Sequence, residues 1–433
     1  MSQPPPVPMS ATLAADAVLA RRRAAGERVL PLTSGEIGLP VLPQLAARLG
    51  AAAGRNAYGP VDGRPALRAA AAGYWTRRGL VTDPDRVVAG PGSKALLFAL
   101  LLAVGGDVAV PVPGWVSYAA QVRLAGARPL PVPIVPGEGG VPDPDRLREA
   151  VAGARAAGRD PRAVVVTVPD NPTGTIASDA TLRRLARAAR ELDLVIVSDE
   201  IYGDLVYDTA APAVSPAVHA PERTVVTTGL TKNLALGGWR TGVARLPDGE
   251  PGRRLHTRLV AVASQIWSSP PVPVQEAAAY AFAEPPEVVE RIAASRRLHE
   301  RVVRAVADRL AAVGARTAPV VATCYLYPDF EPLRDRLDRL HGVRDGDALA
   351  GLLLDRHGVG VLPASAFGEP GRPLRIRLAT SRLYGDTDER RTAALTAEDP
   401  LALPWIRAGV DRLGEALTTV TGAAAPAALA PRP

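Results

Sequence analysis

The stretch AVVVTVPDNPTGT (163–175) joins a run of β-branched residues to a turn rich in proline and glycine. Four further apolar runs follow the same pattern, namely RVVAG (86–90), DVAVPVP (107–113), LVIVSDE (194–200) and RTVVTTG (223–229). Helical stretches such as SKALLFALLLAV (93–104) and DATLRRLARAAREL (179–192) lie between them. Continuous apolar strands that alternate with helices predict an α/β fold, with a mainly parallel sheet covered by helices on both faces.

The pattern changes near residue 290, where long arginine-rich helices such as 285–314 replace the strands. Short strand-like pieces follow at 323–330 and 373–379. This shift predicts a second, smaller α+β domain. The predicted division is a disordered proline-rich N-terminus (1–10), a segment that joins the small domain (11–40), a large domain (41–290), the small domain (291–421) and a loose tail (422–433).

Composition excludes several classes of protein. The 433 residues contain one cysteine, so a disulfide scaffold is excluded. The N-terminus shows no export signal, and the apolar run at 96–104 is too short to span a membrane. The net charge of +7 comes from arginines interleaved with acids rather than from a dense basic block. We therefore expect a cytoplasmic protein that binds neither nucleic acid nor membrane, and the five histidines show no metal-ligand spacing.

Lysine is scarce in this chain. Lys94 and Lys232 are the two lysines among 51 basic residues. Arginine cannot replace lysine where the chemistry needs a neutral amine, so amine-based covalent catalysis has two candidate residues.

Polar residues follow five predicted strands at the points where the strands end. Ligands of such sheets bind at the carboxyl ends of the strands, so these residues are candidates for one site. They are Gly92-Ser93-Lys94, Trp115 with Tyr118, Asn171, Asp199 with Tyr202, and Lys232 with Arg240.

These motifs resemble the fold-type I pyridoxal-phosphate enzymes, specifically the class I/II aminotransferase family. The resemblance covers about residues 28–383, and its core is Asn-Pro-Thr-Gly at 171–174, Asp-x-x-Tyr at 199–202 and Lys-x(7)-Arg-x-Gly at 232–242. Asn171 and Asp199 are 28 positions apart, and Lys232 and Arg240 are 8 apart, as the family pattern has them. The segments 56–68 and 364–376 resemble two further family segments.

The resemblance implies a large domain with a seven-stranded sheet, like that of aspartate aminotransferase, which binds pyridoxal 5′-phosphate. Lys232 would form an internal aldimine with the cofactor and move the substrate Cα proton, and Asp199 would keep the pyridine nitrogen protonated. Tyr202 and Asn171 would hydrogen-bond the ring oxygen. The other implied cofactor contacts are Trp115 on the ring face, Gly92, Ser93, Lys94 and Arg240 at the phosphate, and Thr228. The implied substrate contacts are Arg375, Gly35, Asn171 and Trp115, where Arg375 grips the α-carboxylate and Arg377 is an adjacent competitor.

By the same resemblance, Tyr58 would reach the phosphate of a neighbouring subunit in a homodimer. The implied activity moves an amino group between an amino acid and a 2-oxo acid. The alternative is elimination, replacement, cyclisation or oxidation of an amino acid in specialised biosynthesis, because the same residues activate Cα in each case. The stretch 259–275 contains no basic residue, which argues against a substrate with a second carboxylate. Lys94 is open between a phosphate contact and a solvated residue at a helix start.

Two rival interpretations are weaker. Gly90-Pro91-Gly92-Ser93-Lys94-Ala95 matches a dinucleotide fingerprint, but no acidic residue follows the next strand to hold a ribose. A transcription regulator with an aminotransferase-like domain needs a DNA-binding domain first, and about 30 residues precede the family-like segment, fewer than the ~50 of a small domain.

Overall fold

The computed structural model describes residues 7–423. These residues form two compact units. The large unit comprises residue 7, Glu36–Asn171 and Ile176–Arg296, and the small unit comprises Pro8–Gly35, Pro172–Thr175 and 297–423. The predicted disorder of 1–10 and looseness of 422–433 lie largely outside the described residues. The predicted domain limits of 11–40, 41–290 and 291–421 stay a prediction.

Twelve strands occur in the described chain, and their bounds follow in chain order. They are β1 (Leu30–Pro31), β2 (Val87–Gly90), β3 (Asp107–Val112), β4 (Pro129–Pro133), β5 (Pro161–Thr167), β6 (Val195–Asp199), β7 (Thr224–Gly229), β8 (Gly242–Arg245), β9 (Tyr325–Leu326), β10 (Val359–Gly360), β11 (Leu362–Pro363) and β12 (Ile376–Ala379).

Fourteen α-helices accompany these strands between residues 7 and 423. They are α1 (Ala11–Ala24), α2 (Pro43–Ala52), α3 (Pro65–Arg77), α4 (Ser93–Val104), α5 (Tyr118–Leu124), α6 (Pro144–Ala156), α7 (Asp179–Glu191), α8 (Gly249–Ile266), α9 (Val272–Phe282), α10 (Pro286–Ala312), α11 (Arg334–His341), α12 (Gly346–His357), α13 (Asp388–Thr396) and α14 (Pro404–Thr421). None of the helices in this part of the chain is long and apolar enough to cross a membrane.

The large unit is built on one seven-stranded sheet in the order β2-β8-β7-β6-β5-β3-β4. The neighbours from β7 to β4 pair in parallel, and β8 alone runs against the others. The central strands are buried because helices cover both faces, which is why they are rich in valine on successive positions. The predicted α/β fold with a mainly parallel sheet is confirmed.

The small unit contains two short sheets. β1 pairs in parallel with β10, and β12 lies between β11 and β9 with antiparallel pairing on both sides. The part of α10 from residue 297 onward, together with α1 and α11 to α14, supplies most of the remaining regular structure of this unit. The N-terminal segment therefore contributes a strand to a unit that is otherwise mostly C-terminal.

Candidate active site

The sheet of the large unit brings the predicted strand-end residues to one edge. β2, β3, β5, β6 and β7 run in the same direction, so their carboxyl ends meet there. Asp199 is the last residue of β6 and lies in register with Thr167 of β5 and Thr227 of β7. Lys232 follows β7 by three residues, and Ser93 begins α4 shortly after β2.

Asp199 is a buried carboxylate within a hydrogen-bonded network. The Tyr118 hydroxyl donates to Oδ2 at 2.9 Å, and the Thr227 hydroxyl donates to Oδ1 at 3.4 Å. Burial raises the pKa of Asp199 to about 6, although these hydrogen bonds and the charge of Lys232 lower it. A buried acid in this state is stabilised by a cationic N–H partner, which fits the pyridine nitrogen of the expected cofactor.

Tyr118 was not assigned a role from the sequence. Its hydroxyl also lies 2.6 Å from that of Thr167, and its ring contacts the Trp115 ring edge-to-face at 5.2 Å between centroids. The side chain is buried, and Tyr118 links the Trp115 ring to the Asp199 carboxylate at the end of β6. Its position three residues after Trp115, at the start of a helix that follows a strand, was the available signal.

Asn171, Tyr202 and Lys232 form a second group. The Asn171 amide donates to the Tyr202 hydroxyl at 3.4 Å, and both side chains are buried. The Lys232 Nζ lies 5.8 Å from the centroid of the Tyr202 ring. The structure thus brings the Lys232 amine, the Tyr202 phenol and the Asn171 amide together at the edge of the sheet where β6 ends in Asp199.

The N-terminus of α4 forms an anion cradle with Arg240. Gly92 has φ of 95°, and a Cβ added there would lie 2.4 Å from a terminal nitrogen of the Arg240 guanidinium. A Cβ on Gly242 would lie 2.5 Å from the Ser93 backbone nitrogen. Backbone N–H groups at a helix start beside a guanidinium suit a phosphate dianion, so the residues present fit the phosphate of the expected cofactor.

Lys94 lies beside this cradle. Its Nζ is 4.9 Å from the centroid of the Trp115 ring. Lys94 is exposed overall, but partial burial of its amine lowers the pKa, and the positive charges of Arg240 and Lys232 lower it further. Lys94 is therefore a second cation beside the cradle, and its amine interacts electrostatically with Arg240 and Lys232.

Two predicted residues of the large unit have other surroundings. The Thr228 hydroxyl donates to the Glu200 carbonyl at 3.4 Å within the sheet, so its contact with a phosphate stays a prediction. Tyr58 is 89% exposed between α2 and α3, so its ring does not pack against its own chain.

Gly35 and Arg375 belong to the small unit. A Cβ on Gly35 would lie 1.7 Å from the Tyr325 hydroxyl, so glycine is required there. Arg375 donates to Glu369 at 2.7 Å and to Asp329 at 3.4 Å. The roles of both residues in substrate binding stay predictions.

Comparison with known proteins agrees with this geometry. Residues 27–384 match the family model described as Aminotransferase class I and II. A probable aspartate/prephenate aminotransferase of Thermus aquaticus is 33% identical over 377 residues, which cover 86% of this chain and 92% of that protein. An aspartate aminotransferase of Geobacillus stearothermophilus is 31% identical over 382 residues, with the same coverage.

Solved structures give the same result. The structure of aspartate aminotransferase from Thermus thermophilus with maleate superposes with a TM-score of 0.79 at 29% identity, covering 94% of this chain and 97% of that one. An aminotransferase from Mycobacterium tuberculosis superposes with a TM-score of 0.78 at 25% identity, covering 97% and 100%. The chain therefore belongs to the class I and II aminotransferase family, and it is a pyridoxal-phosphate-dependent aminotransferase.

Proposed function

We propose that this enzyme transfers an amino group between a dicarboxylic amino acid and a 2-oxo acid, with Lys232 as its catalytic lysine. The observation that carries the assignment of Lys232 is its geometry: its Nζ lies 5.8 Å from the centroid of the Tyr202 ring, and it follows β7, the strand that pairs with the β6 strand ending in Asp199. Lys94, the other lysine, lies instead over Trp115 beside the phosphate cradle. Bound pyridoxal phosphate supplies a ring that accepts electrons from the substrate Cα.

The residues of the large unit have separate tasks in this proposal. Lys232 binds the cofactor covalently through its amine and moves the proton at the substrate Cα. Asp199 accepts a hydrogen bond from the ring nitrogen and keeps it protonated, while Tyr118 and Thr227 hold the carboxylate in place. Asn171 and Tyr202 donate to the ring oxygen from their shared hydrogen-bonded position.

Cofactor position depends on the remaining residues. Gly92, Ser93 and Arg240 bind the phosphate, and Thr228 contributes a hydroxyl. The Trp115 ring covers one face of the cofactor ring, held at its edge by Tyr118. In the small unit, Gly35 and Arg375, the residue directly before β12, bind the substrate α-carboxylate by family resemblance.

A dicarboxylic substrate is supported by the names of the relatives and by Lys94. The relatives from Thermus aquaticus and Geobacillus stearothermophilus are named for aspartate. The sequence argued against a second carboxylate because 259–275 has no basic residue. Lys94 is a further cation beside the cradle, 4.9 Å from the centroid of the Trp115 ring, and an additional anion would be favourable near it, Arg240 and Lys232.

The proposal also covers the assembly and the location of the enzyme. The almost fully exposed Tyr58 supports a homodimer in which this ring reaches the phosphate of a neighbouring subunit. A cytoplasmic location is part of the same proposal.

An amino-acid panel tests the proposal. Purified holoenzyme is mixed with single amino acids, and the ~420 nm band of the bound cofactor is followed. Aspartate or glutamate should convert it to a stable ~330 nm form, and an added 2-oxo acid should restore the first band with formation of a new amino acid. Release of ammonia with return of the ~420 nm band would identify an elimination instead.

Lys94 is tested by comparing substrates within one variant. Lys94→Gln should raise the KM for aspartate by about tenfold relative to the KM for alanine, since a charged hydrogen bond contributes about 1.5–3 kcal/mol. An unchanged ratio of the two KM values would contradict a contact with the second carboxylate. If both KM values rise by the same factor, the result would indicate a phosphate contact instead.

A further inference from the structure

The loop that carries Lys232 is closed on itself and packed on the core of the large unit. The Leu236 N–H donates to the Leu230 carbonyl at 3.0 Å, which closes the loop after β7. Leu230, Leu234 and Leu236 are each 2% exposed and belong to one apolar cluster of this unit. The hydrophobic effect that holds these leucines is non-directional, whereas a hydrogen bond sets an orientation.

Asn233, the residue after Lys232, supplies a directional contact of this kind. Its side chain is buried at 5% exposure. The Asn233 Nδ2 donates to Oδ2 of Asp204 at 2.7 Å, and its Oδ1 accepts from the Leu234 N–H at 2.9 Å. The amide is therefore bound at both ends, by a carboxylate on one side and by its own loop on the other. An amide held in this way fixes the backbone next to Lys232.

Asp204 is in turn held through its other oxygen. Its side chain is 8% exposed, and Arg78, directly after α3, donates to Oδ1 at 2.8 Å. The Tyr74 hydroxyl donates to the same atom at 3.1 Å. Arg78 is the charged donor and therefore the stronger one, so loss of the Tyr74 hydroxyl leaves Oδ1 in place and Oδ2 on Asn233.

Asp204 also belongs to the segment that carries Tyr202. A short 3₁₀ turn (Gly203–Leu205) follows Tyr202, and the Leu205 N–H donates to the Tyr202 carbonyl at 2.8 Å. The bond between Asp204 and Asn233 therefore ties the loop after β6 to the loop after β7. The Lys232 Nζ and the Tyr202 ring, 5.8 Å apart, lie on the two loops that this bond connects.

We propose that Asp204 and Asn233 are positioning residues for the catalytic amine, because the hydrogen bond between them fixes the backbone of the Lys232 loop relative to Tyr202. This inference rests on the proposed function, in which Lys232 is the catalytic lysine. Both residues act through the loop and not on the substrate. Their loss therefore affects the proton transfer by Lys232 more than it affects substrate binding.

Four variants test this assignment, namely Asn233→Ala, Asp204→Ala, the double variant and Asp204→Asn. The readouts are kcat and KM for the amino donor, and the rate of covalent attachment of pyridoxal phosphate to the cofactor-free protein, followed at ~420 nm. Each single alanine variant should lower kcat and the attachment rate by about tenfold or more, with KM within about threefold.

The double variant and the conservative variant show whether the two side chains act as one contact. Loss of both partners should cost no more kcat than the worse single variant, within about threefold, because either substitution already breaks the bond. Asp204→Asn keeps an acceptor for Asn233 but loses its charge, so its kcat should lie between those of Asp204→Ala and the wild type.

Glu284→Ala is the matched control. Glu284 is the other carboxylate bound to Arg78, at 3.0 Å, and it also accepts from Arg77 at 2.7 Å. Its removal breaks buried ion pairs beside Asp204 but leaves Asn233 untouched. Glu284→Ala should lower the melting temperature about as much as Asp204→Ala does, with kcat within about threefold of the wild type.

Unchanged kcat and attachment rate in the alanine variants, or equal losses in Glu284→Ala, would overturn the proposal, as would losses that multiply in the double variant. If the alanine variants do not fold, Asp204→Asn decides, since it should lower kcat by about threefold with KM unchanged. Borohydride trapping in the wild type separates the two levels of the argument. A label on Lys94 would contradict the proposed function itself, whereas a label on Lys232 with unaffected variants contradicts the positioning role alone.

Discussion

At the scale of single residues, the site depends on buried polar groups that hydrogen-bond to one another. Asp199 is buried without a positive residue in hydrogen-bonding contact, and hydroxyls from Tyr118 and Thr227 partly compensate the lost hydration. Such a carboxylate is costly in the absence of a cationic ligand and favourable with one. The same residue therefore disfavours the empty site and selects a protonated ring nitrogen.

The two lysines should behave differently when each is replaced. Lys232→Ala should lower kcat by ~10⁴-fold or more and abolish covalent trapping of the cofactor by borohydride, because no other amine takes its place. Lys94→Ala should retain trapping and lose cofactor affinity or substrate affinity only. Mass spectrometry of the reduced, digested protein identifies the modified lysine, and a label on Lys94 would refute the assignment.

Removal of the Tyr118 hydroxyl should weaken catalysis more than stability. Tyr118→Phe keeps the ring against Trp115 but takes a donor from Asp199, which raises the pKa of that carboxyl further and weakens its hold on the ring nitrogen. We expect kcat to fall by about tenfold or more, the equivalent of one hydrogen bond to a charged group.

The matched control for this prediction is Tyr74→Phe. Tyr74 is also buried, and its hydroxyl donates to Asp204 at 3.1 Å, outside the Asp199 network. Both variants should lose a similar free energy of unfolding in urea, while Tyr74→Phe retains kcat. Equal kcat values in the two variants would show that Tyr118 serves the fold alone.

At the scale of elements, the cradle depends on how α4 begins. The helix starts directly after Gly92, whose φ of 95° and lack of a side chain let the chain turn close to the Arg240 guanidinium. α4 itself is apolar on nearly all sides because it is covered by α8 and the sheet. A rigid, buried helix thus holds the N-terminus at a fixed distance from β8.

Gly92→Ala should separate cradle geometry from backbone strain. A left-handed backbone costs an alanine about 1–2 kcal/mol, and its Cβ would displace the Arg240 guanidinium. We expect the dissociation constant of pyridoxal phosphate to rise by about tenfold or more. Gly126→Ala is the control, since Gly126 has φ of 77° with no atom within 4 Å of an added Cβ. Gly126→Ala should lower the free energy of unfolding without changing the affinity for pyridoxal phosphate. Equal dissociation constants for pyridoxal phosphate in the two variants would contradict the role of Gly92 in the cradle.

Sequence patterns predicted the central elements well and the edges poorly. The bounds of α4 were predicted to the residue, and β3, β5, β6 and β7 lie within a few residues of their predicted ranges. β4 was missed because prolines at 129, 131 and 133 interrupt its apolar run, which is tolerated at the edge of the sheet. β8 was missed because its sequence, Gly-Val-Ala-Arg, contains a single β-branched residue.

The site shows the same limit. Family motifs predict roles for Lys232, Asp199 and Asn171 because each has a fixed place in a short local pattern. Tyr118 hydrogen-bonds with Thr167 and Asp199, which are 49 and 81 positions away. Arg377 donates to the Thr33 carbonyl, 344 positions away. No local pattern encodes such contacts, since the fold alone brings these residues together.

At the scale of the whole molecule, buried acids couple folding to pH. Glu200 follows Asp199 and accepts hydrogen bonds from Ser198 at 2.8 Å and Ser215 at 2.6 Å. Burial raises its pKa to about 7 from an ordinary 4.5, although both serines lower it. Because the folded pKa is the higher one, the proton on Glu200 stabilises the fold fully below pH 4.5, and this contribution is lost as pH rises through about 7.

Glu200→Gln should therefore become more stable relative to the wild type as pH rises. Near pH 4.5 the two holoenzymes should unfold in urea with similar free energies, since a neutral amide resembles the protonated acid. By pH 7.5 the variant should gain up to about 3 kcal/mol on the wild type, because one pKa unit corresponds to about 1.4 kcal/mol. The charge of Asp199 contributes to the raised pKa of Glu200, so the difference between the two proteins includes the coupling of these neighbouring carboxyls. A difference that stays constant between these two pH values would show that Glu200 titrates normally and that its serine contacts, not its burial, set its charge.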